Sequence, residues 1–144
     1  MDNKKLALVM LVLSFLGLLD ASYLTFKHYA GGSIKCLIVS GCDVVTASSY
    51  SVWFGFLPVA LLGVFFYFIA LLLAFLVYDT DNIKWKKLLL GWALIGGLVA
   101  SWFLYVQAFI LEAYCSYCLI SFGLTTLIVL GARVIYLRSG RATS

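Results

Sequence analysis

CSYCLISFGLTTLIVLGARVIYL, residues 115–137, begins with two cysteines one helical turn apart and reaches Leu137 with Arg133 as its sole charge. About 20 predominantly apolar residues cross a bilayer core as a helix, so this stretch predicts a membrane span with a dithiol at one end. Only Glu112, Ala113 and Tyr114 separate it from another apolar run, Leu88 to Leu111, and so short a connection forces an antiparallel neighbour pair. The polar turn Asp79 to Lys87 (DTDNIKWKK) precedes that run, and a further apolar stretch, about Val52 to Tyr78, precedes the turn. Leu6 to Tyr29 completes the set. Its length and the absence of a small-x-small cleavage site read as a retained helix rather than a signal peptide. The expected spans are thus 6–29, 52–78, 88–111 and 115–137.

Composition agrees with this reading. Of 144 residues, 65% are hydrophobic and 11% charged, whereas a soluble domain carries about 25% charged residues. A soluble globule is excluded, and so is intrinsic disorder. With 1 Pro and 12 Gly there is no low-complexity stretch either. The expectation is an all-α membrane protein: one integral domain over residues 1–144, a four-transmembrane-helix bundle. Its one long connection, GGSIKCLIVSGCDVVTASSYS (residues 31–51), is broken by Gly, Ser and Thr and reads as a loop. A net charge of +4 spread along the chain has no nucleic-acid footprint.

An even number of spans puts both termini and the 79–87 turn on one side, with the long loop and the 112–114 turn opposite. The first side holds Lys4, Lys5, Lys84, Lys86, Lys87, Arg133, Arg138 and Arg141, and the other only Lys27 and Lys35. By the positive-inside rule the first side is cytoplasmic. All four cysteines, Cys36, Cys42, Cys115 and Cys118, then lie on the extracytoplasmic side, where disulfides persist.

Cys115-Ser116-Tyr117-Cys118 is a C-x-x-C at a helix start, so both sulfurs share a face and can close a short disulfide. Backbone N–H groups and the helix dipole favour the thiolate at the first position, which makes Cys115 the reactive sulfur. A bare C-x-x-C is a weak signal. Cys36 and Cys42 strengthen it, because they flank five residues in the long loop and can bond to each other or exchange with the helix pair. Cysteines scattered as apolar filler would gather at one membrane edge with a chance on the order of one in 600. A non-enzymatic zinc site is the rival reading, but structural zinc sites normally use two C-x-x-C-like knuckles and only one is present; no metal is expected. A relay of two dithiols needs a final electron acceptor. A C-x-x-C at the bilayer surface near Phe103, Tyr105 and Phe122 has access to a lipid-soluble redox carrier, and a quinone fits.

Cys36-x5-Cys42, then Asp43-Val44-Val45 and Ser48, then Phe54-Gly55 entering a helix through Pro58, and finally Cys115-x-x-Cys118 make an order that resembles the vitamin K epoxide reductase family. The resemblance covers almost the whole chain, and GCDVVTASSYSVWFGFLPVALLG (Gly41 to Gly63) is similar to its bacterial and archaeal branch. It implies a four-helix bundle around a quinone, ubiquinone, menaquinone or of the vitamin K type. By position, Cys118 is the thiol nearest the quinone and Cys115 its partner. Cys42 is the loop thiol that exchanges with Cys115, and Cys36 meets the external partner. Ser48, with Ser49 as the fallback, stands where the family has a loop hydroxyl. Animal members carry an Asn before the second span and a Tyr four residues after the C-x-x-C; here Ser51 and Phe122 occupy those places. With Phe54 and Cys118 they are the expected quinone contacts.

Some bacterial relatives carry a fused thioredoxin-like domain; this chain ends at Ser144, so a separate extracytoplasmic thioredoxin-like (DsbA-like) oxidoreductase is the expected partner, and the chain itself is expected in the plasma membrane of a prokaryote. The resemblance therefore implies a thiol:quinone oxidoreductase supporting disulfide formation, with vitamin K epoxide reduction proper as the alternative. The DsbB-like disulfide generators share the helix count, but their C-x-x-C pair precedes the loop pair.

Asp20 is the one carboxylate inside a span, where such a group costs about 2.5 to 3.5 kcal/mol on insertion scales. A role in proton transfer and simple satisfaction by Ser22 or Thr25 both fit it. His28 reads as an interfacial or loop-packing residue. Ala93, Gly97 and Ser101, and Gly17 with Ala21, recur at helical spacing and read as close-packing stripes.

Overall fold

The computed structural model describes residues 2–31, 49, 52–53 and 57–142. It is built from α1 (Asn3–Ala30), a two-residue antiparallel ladder of β1 (Val52–Trp53) and β2 (Leu57–Pro58), α2 (Val59–Thr80), α3 (Ile83–Tyr105) with a π-turn (Val106–Ile110) continuing it, and α4 (Ser116–Ala142). Among the described residues, four segments are long and apolar enough to cross a bilayer: Asn3–Ala30, Val59–Thr80, Ile83–Ile110 and Ser116–Arg141.

Three boundaries differ from the expected spans by five residues or more: α4 runs on to Ala142 instead of ending at Leu137, and two helix starts differ for local reasons. The second helix starts at Val59, not at Val52, because Val52 pairs with Pro58 and Trp53 with Leu57 in the ladder. Pro58 occupies the N-cap with extended dihedrals, where its missing N–H costs nothing. The third helix starts at Ile83, not Leu88. Asp81 ends α2 in the left-handed region at φ 48° and bonds back to Val77 O, and Asn82 caps α3 by accepting from Lys84 N at 3.0 Å. The polar turn thereby shrinks to two capping residues, and IKWKK becomes the first turn and a half of α3. Gly31, at φ 67°, ends α1 in the same left-handed way.

The helices pack in a ring. α1 lies against α2 and α4, α3 closes against α4, and the α2–α3 seam is the sparsest. One end of the bundle is solid. Ala7 and Met10 of α1, Tyr67, Ala70, Ala74 and Val77 of α2, Leu89 and Ala93 of α3, and Ile128, Ala132 and Ile135 of α4 are all buried. The many alanines let helix axes approach, which is how helices gain contact where lipid is as apolar as leucine. Gly17 is used the same way: a Cβ there would fall within 2.2 Å of the Tyr67 ring. Ser101 departs from its expected stripe, being exposed and bonded back to Gly97 O at 2.8 Å. The outer faces carry the large apolar side chains, among them Phe26, Phe65, Leu98 and Phe109, as a lipid-facing surface requires.

At this solid end Lys86 is only 3% exposed, paired with Asp81 Oδ1 at 2.6 Å and bonded to Ser139 Oγ at 2.5 Å. A lysine read from the sequence as one of several cytoplasmic charges is thus a strut between α3, the α2 cap and the end of α4.

Candidate active site

Cys115 directly precedes α4, and its carbonyl accepts the first bond of that helix from Leu119 N at 3.0 Å. This is the N-cap position. Its sulfur plays the part of a capping oxygen: it accepts from the Cys118 thiol and from the backbone N–H groups of Cys118 and Tyr117. The Cys118 thiol foremost, and then those amides, pull the Cys115 thiol below its ordinary range, against the opposing effect of burial. Cys115 is fully buried and packs in one cluster with Leu24, Ala60, Tyr117 and Cys118.

The π-turn at the end of α3 supplies the other constraint. Its wider winding ends in Leu111, bonded to Val106 O at 2.9 Å, and Glu112 then takes φ 48° to begin the short connection. Gln107, on this turn, is buried, and its Oε1 accepts the Cys115 N–H at 3.1 Å. An amide that would otherwise be an orphan at a buried helix start therefore has a partner. π-turns are frequent at functional sites because they redirect a side chain without ending the helix.

Between the helices on this side lies a cavity of about 390 Å³, within the range of about 300 to 1,000 Å³ usual for small-molecule sites. Its walls are apolar and aromatic, including Phe66, Trp92, Phe103 and Phe122. Phe66 and Trp92 stack at 5.9 Å, and Trp92 Nε1 donates to Phe66 O at 3.0 Å, which fixes the indole against the wall. The polar groups are few: Asp20, His28, Gln107, Cys118 and the hydroxyls of Tyr67, Ser121 and Thr125. Tyr67 OH lies 2.8 Å from Ser121 O, 2.7 Å from Ser121 Oγ and 2.9 Å from Thr125 Oγ1, so these hydroxyls satisfy one another.

Of the residues singled out in the sequence, Cys118 and Phe122 line the cavity, and Cys115 sits behind Cys118 away from it. Phe103 also lines it, but Tyr105 does not: it stacks with Trp102 at 5.7 Å and meets the tilted ring of Phe109 at 5.1 Å on an exposed face. Asp20 reaches the cavity wall and is not satisfied as one reading had it. Thr25 Oγ1 donates to Ala21 O at 2.8 Å, Ser22 is exposed, and Asp20 Oδ2 has no hydrogen-bond partner among the described residues. His28 stands on the cavity lining and not only at the loop. Cys36, Cys42, Ser48, Ser51 and Phe54 lie outside the described residues; Ser49 is exposed. Gln107 and Tyr67 went unnoticed in the sequence, although a lone glutamine in an apolar span is a signal of the same kind as Asp20.

The cavity fits a quinone ring by these criteria: an apolar space between aromatic walls, bordered by a thiol, with a carboxyl oxygen whose hydrogen-bonding capacity is unspent. No curated protein matches the chain. The model of the vitamin K epoxide reductase family matches residues 8–132, nearly its full length. A bundle of four membrane-length helices with one thiol of its cysteine pair on an apolar cavity is thereby placed by descent as well as by form: the chain belongs to the vitamin K epoxide reductase family, and is an integral membrane oxidoreductase of that kind.

Proposed function

We propose that the protein is a thiol:quinone oxidoreductase, taking electrons from a separate thioredoxin-like protein outside the cytoplasm and passing them through Cys36 and Cys42, then Cys115 and Cys118, to a membrane quinone. The observation that carries this reading is the division of labour within the C-x-x-C: Cys118 opens on the apolar cavity, while Cys115 lies behind it with its thiolate favoured by three donors. The family works in general with quinones and thioredoxin-like partners.

The chain's own residues divide the work as follows. Cys42, as thiolate, attacks Cys115 of the Cys115–Cys118 disulfide and releases Cys118; Cys36 then displaces Cys115 from Cys42, so the loop pair is oxidised to a disulfide as the helix pair is reduced to the dithiol that the quinone re-oxidises. The quinone accepts the electron pair and two protons when bound. Phe66, Trp92, Phe103 and Phe122 hold its ring and exclude water; Phe54 and Ser51 are the proposed loop-side contacts. Ser48 is the proposed hydroxyl that holds the loop over the site. The positive-inside count supports cytoplasmic termini and extracytoplasmic cysteines in one domain over residues 1–144.

The test is anaerobic mixing of a reduced thioredoxin-like protein, the purified protein and a short-chain quinone, following quinone absorbance. Wild type is expected to reduce the quinone, and Cys115→Ala and Cys118→Ala to lose at least 100-fold in rate. Cys118→Ala should trap a Cys42–Cys115 bridge and Cys115→Ala should trap none. Stoichiometric zinc with unreactive thiols would sink the proposal, and turnover of the epoxide by the purified protein would favour vitamin K epoxide reduction proper.

A further inference from the structure

The reduction of a quinone by two thiols moves protons as well as electrons, and the cavity holds a group for them. Leu24 packs with Cys115, and Asp20 lies one turn, about 6 Å, further along the same face of α1. This sets the carboxyl on the cavity wall below the cysteine pair, on the same lining as Cys118 and Tyr67. Asp20 Oδ2 is fully covered yet unpartnered among the described residues, and the neighbouring hydroxyls of Tyr67, Ser121, Thr125 and Thr25 are engaged elsewhere. A carboxyl at membrane depth without a structural partner is expensive to keep, and none of the described residues supplies Oδ2 with one. Gln107 does not take this role, because its Oε1 is held by the Cys115 N–H and an amide cannot carry a proton between groups.

We propose that Asp20 is the proton-transfer residue of the cavity: its carboxyl receives the proton of the Cys118 thiol and delivers it to one ring oxygen of the bound quinone. This rests on the quinone-reductase reading above. The balance closes. Two thiols and one quinone become one disulfide and one hydroquinone; the Cys115 and Cys118 S–H bonds break and the S–S bond forms, with the electron pair leaving to the ring. The Cys118 proton travels through Asp20, which ends as it began. The Cys115 proton, given up when exchange with the loop pair releases that sulfur as a thiolate, is matched by one that the second ring oxygen takes from water.

The test uses the full chain, reduced anaerobically and mixed with a short-chain ubiquinone in single turnover. Asp20→Asn is expected to slow quinone reduction by at least about 100-fold, the usual worth of general acid–base catalysis. Its quinone affinity, read by quenching of tryptophan fluorescence, and its reduction by a small dithiol should stay within about threefold of wild type. Asp20→Glu, which restores a carboxyl, should recover to within about tenfold. In the quinone-free protein a hydrophobic carbodiimide should label Asp20, as read by mass spectrometry, and added quinone should protect it. Asp20→Asn at the wild-type rate, Asp20→Glu as slow as Asp20→Asn, or labelling that quinone leaves unchanged would each overturn the proposal. Wild type that reduces no quinone overturns the functional reading and this inference together, whereas the other outcomes leave that reading standing.

Discussion

At the scale of single residues, the two cysteines of the C-x-x-C have opposite surroundings although three residues separate them. Cys115 holds the N-cap and collects donors; Cys118, a turn later, is one of those donors and faces the cavity. The direction of the Cys115 shift gives a pH prediction. The Cys115 thiol, lowered from the ordinary value of about 8.5 to about 7, is in large part thiolate at neutral pH and loses that form as pH falls through its lowered value. In a background of Cys36→Ala and Cys42→Ala, thiolate ultraviolet absorbance should therefore titrate below the free-cysteine range. Cys118→Ser keeps a donor and should retain most of the shift, whereas Cys118→Ala removes the foremost donor and should move the titration upward. If the alanine variant titrates like wild type, the thiol–thiol hydrogen bond is not the cause.

At the scale of elements, the glycines separate into those that admit a neighbour and those that face open space. Gly17 lies against the ring of Tyr67, which is 1% exposed and tied to α4 through Ser121 and Thr125. A methyl group at Gly17 has to displace that ring, so Gly17→Ala should cost about 1 to 3 kcal/mol, the usual effect of overpacking. Gly91 has nothing within 4 Å of an added Cβ, so Gly91→Ala in mid-helix should be neutral or stabilise by up to about 1 kcal/mol. Thermal unfolding of the two variants in one detergent checks both, and equal melting temperatures would show that the α1–α2 contact is looser than the geometry gives. The π-turn is an element-scale device too. By holding Gln107 under the Cys115 N–H it ties the end of α3 to the start of α4 at the reactive sulfur.

At the scale of the molecule, one end of the bundle is packed solid with small and aliphatic side chains and strutted by Lys86, and the other is hollow. The reading from charge places the solid end toward the cytoplasm. Single-cysteine variants in right-side-out vesicles check it: a membrane-impermeant maleimide should label Cys36 and a cysteine at Glu112, but leave cysteines at Lys4 and Thr80 unlabelled until the vesicles are opened. Labelling of Lys4→Cys in closed vesicles would reverse the orientation and with it the compartment of the thiol partner.

Four helices, their order and the antiparallel pairing of the last two were legible in the chain alone. Apolar runs of membrane length have no other stable form where water is absent to satisfy the backbone. The pairing of Cys115 with Cys118 on one helix face was legible for the same kind of reason, since helical periodicity fixes it locally. Helix starts at Val59 and Ile83 were not, because a two-residue ladder and a two-residue pair of caps weigh little in a hydropathy pattern. Nor was the site itself: that Asp20, Tyr67, Gln107 and Cys118, spread over all four helices, border one cavity depends on how the helices rotate about their axes. That rotation is set by where Gly17 and the buried alanines let backbones meet, a property of paired surfaces that no single stretch of sequence contains.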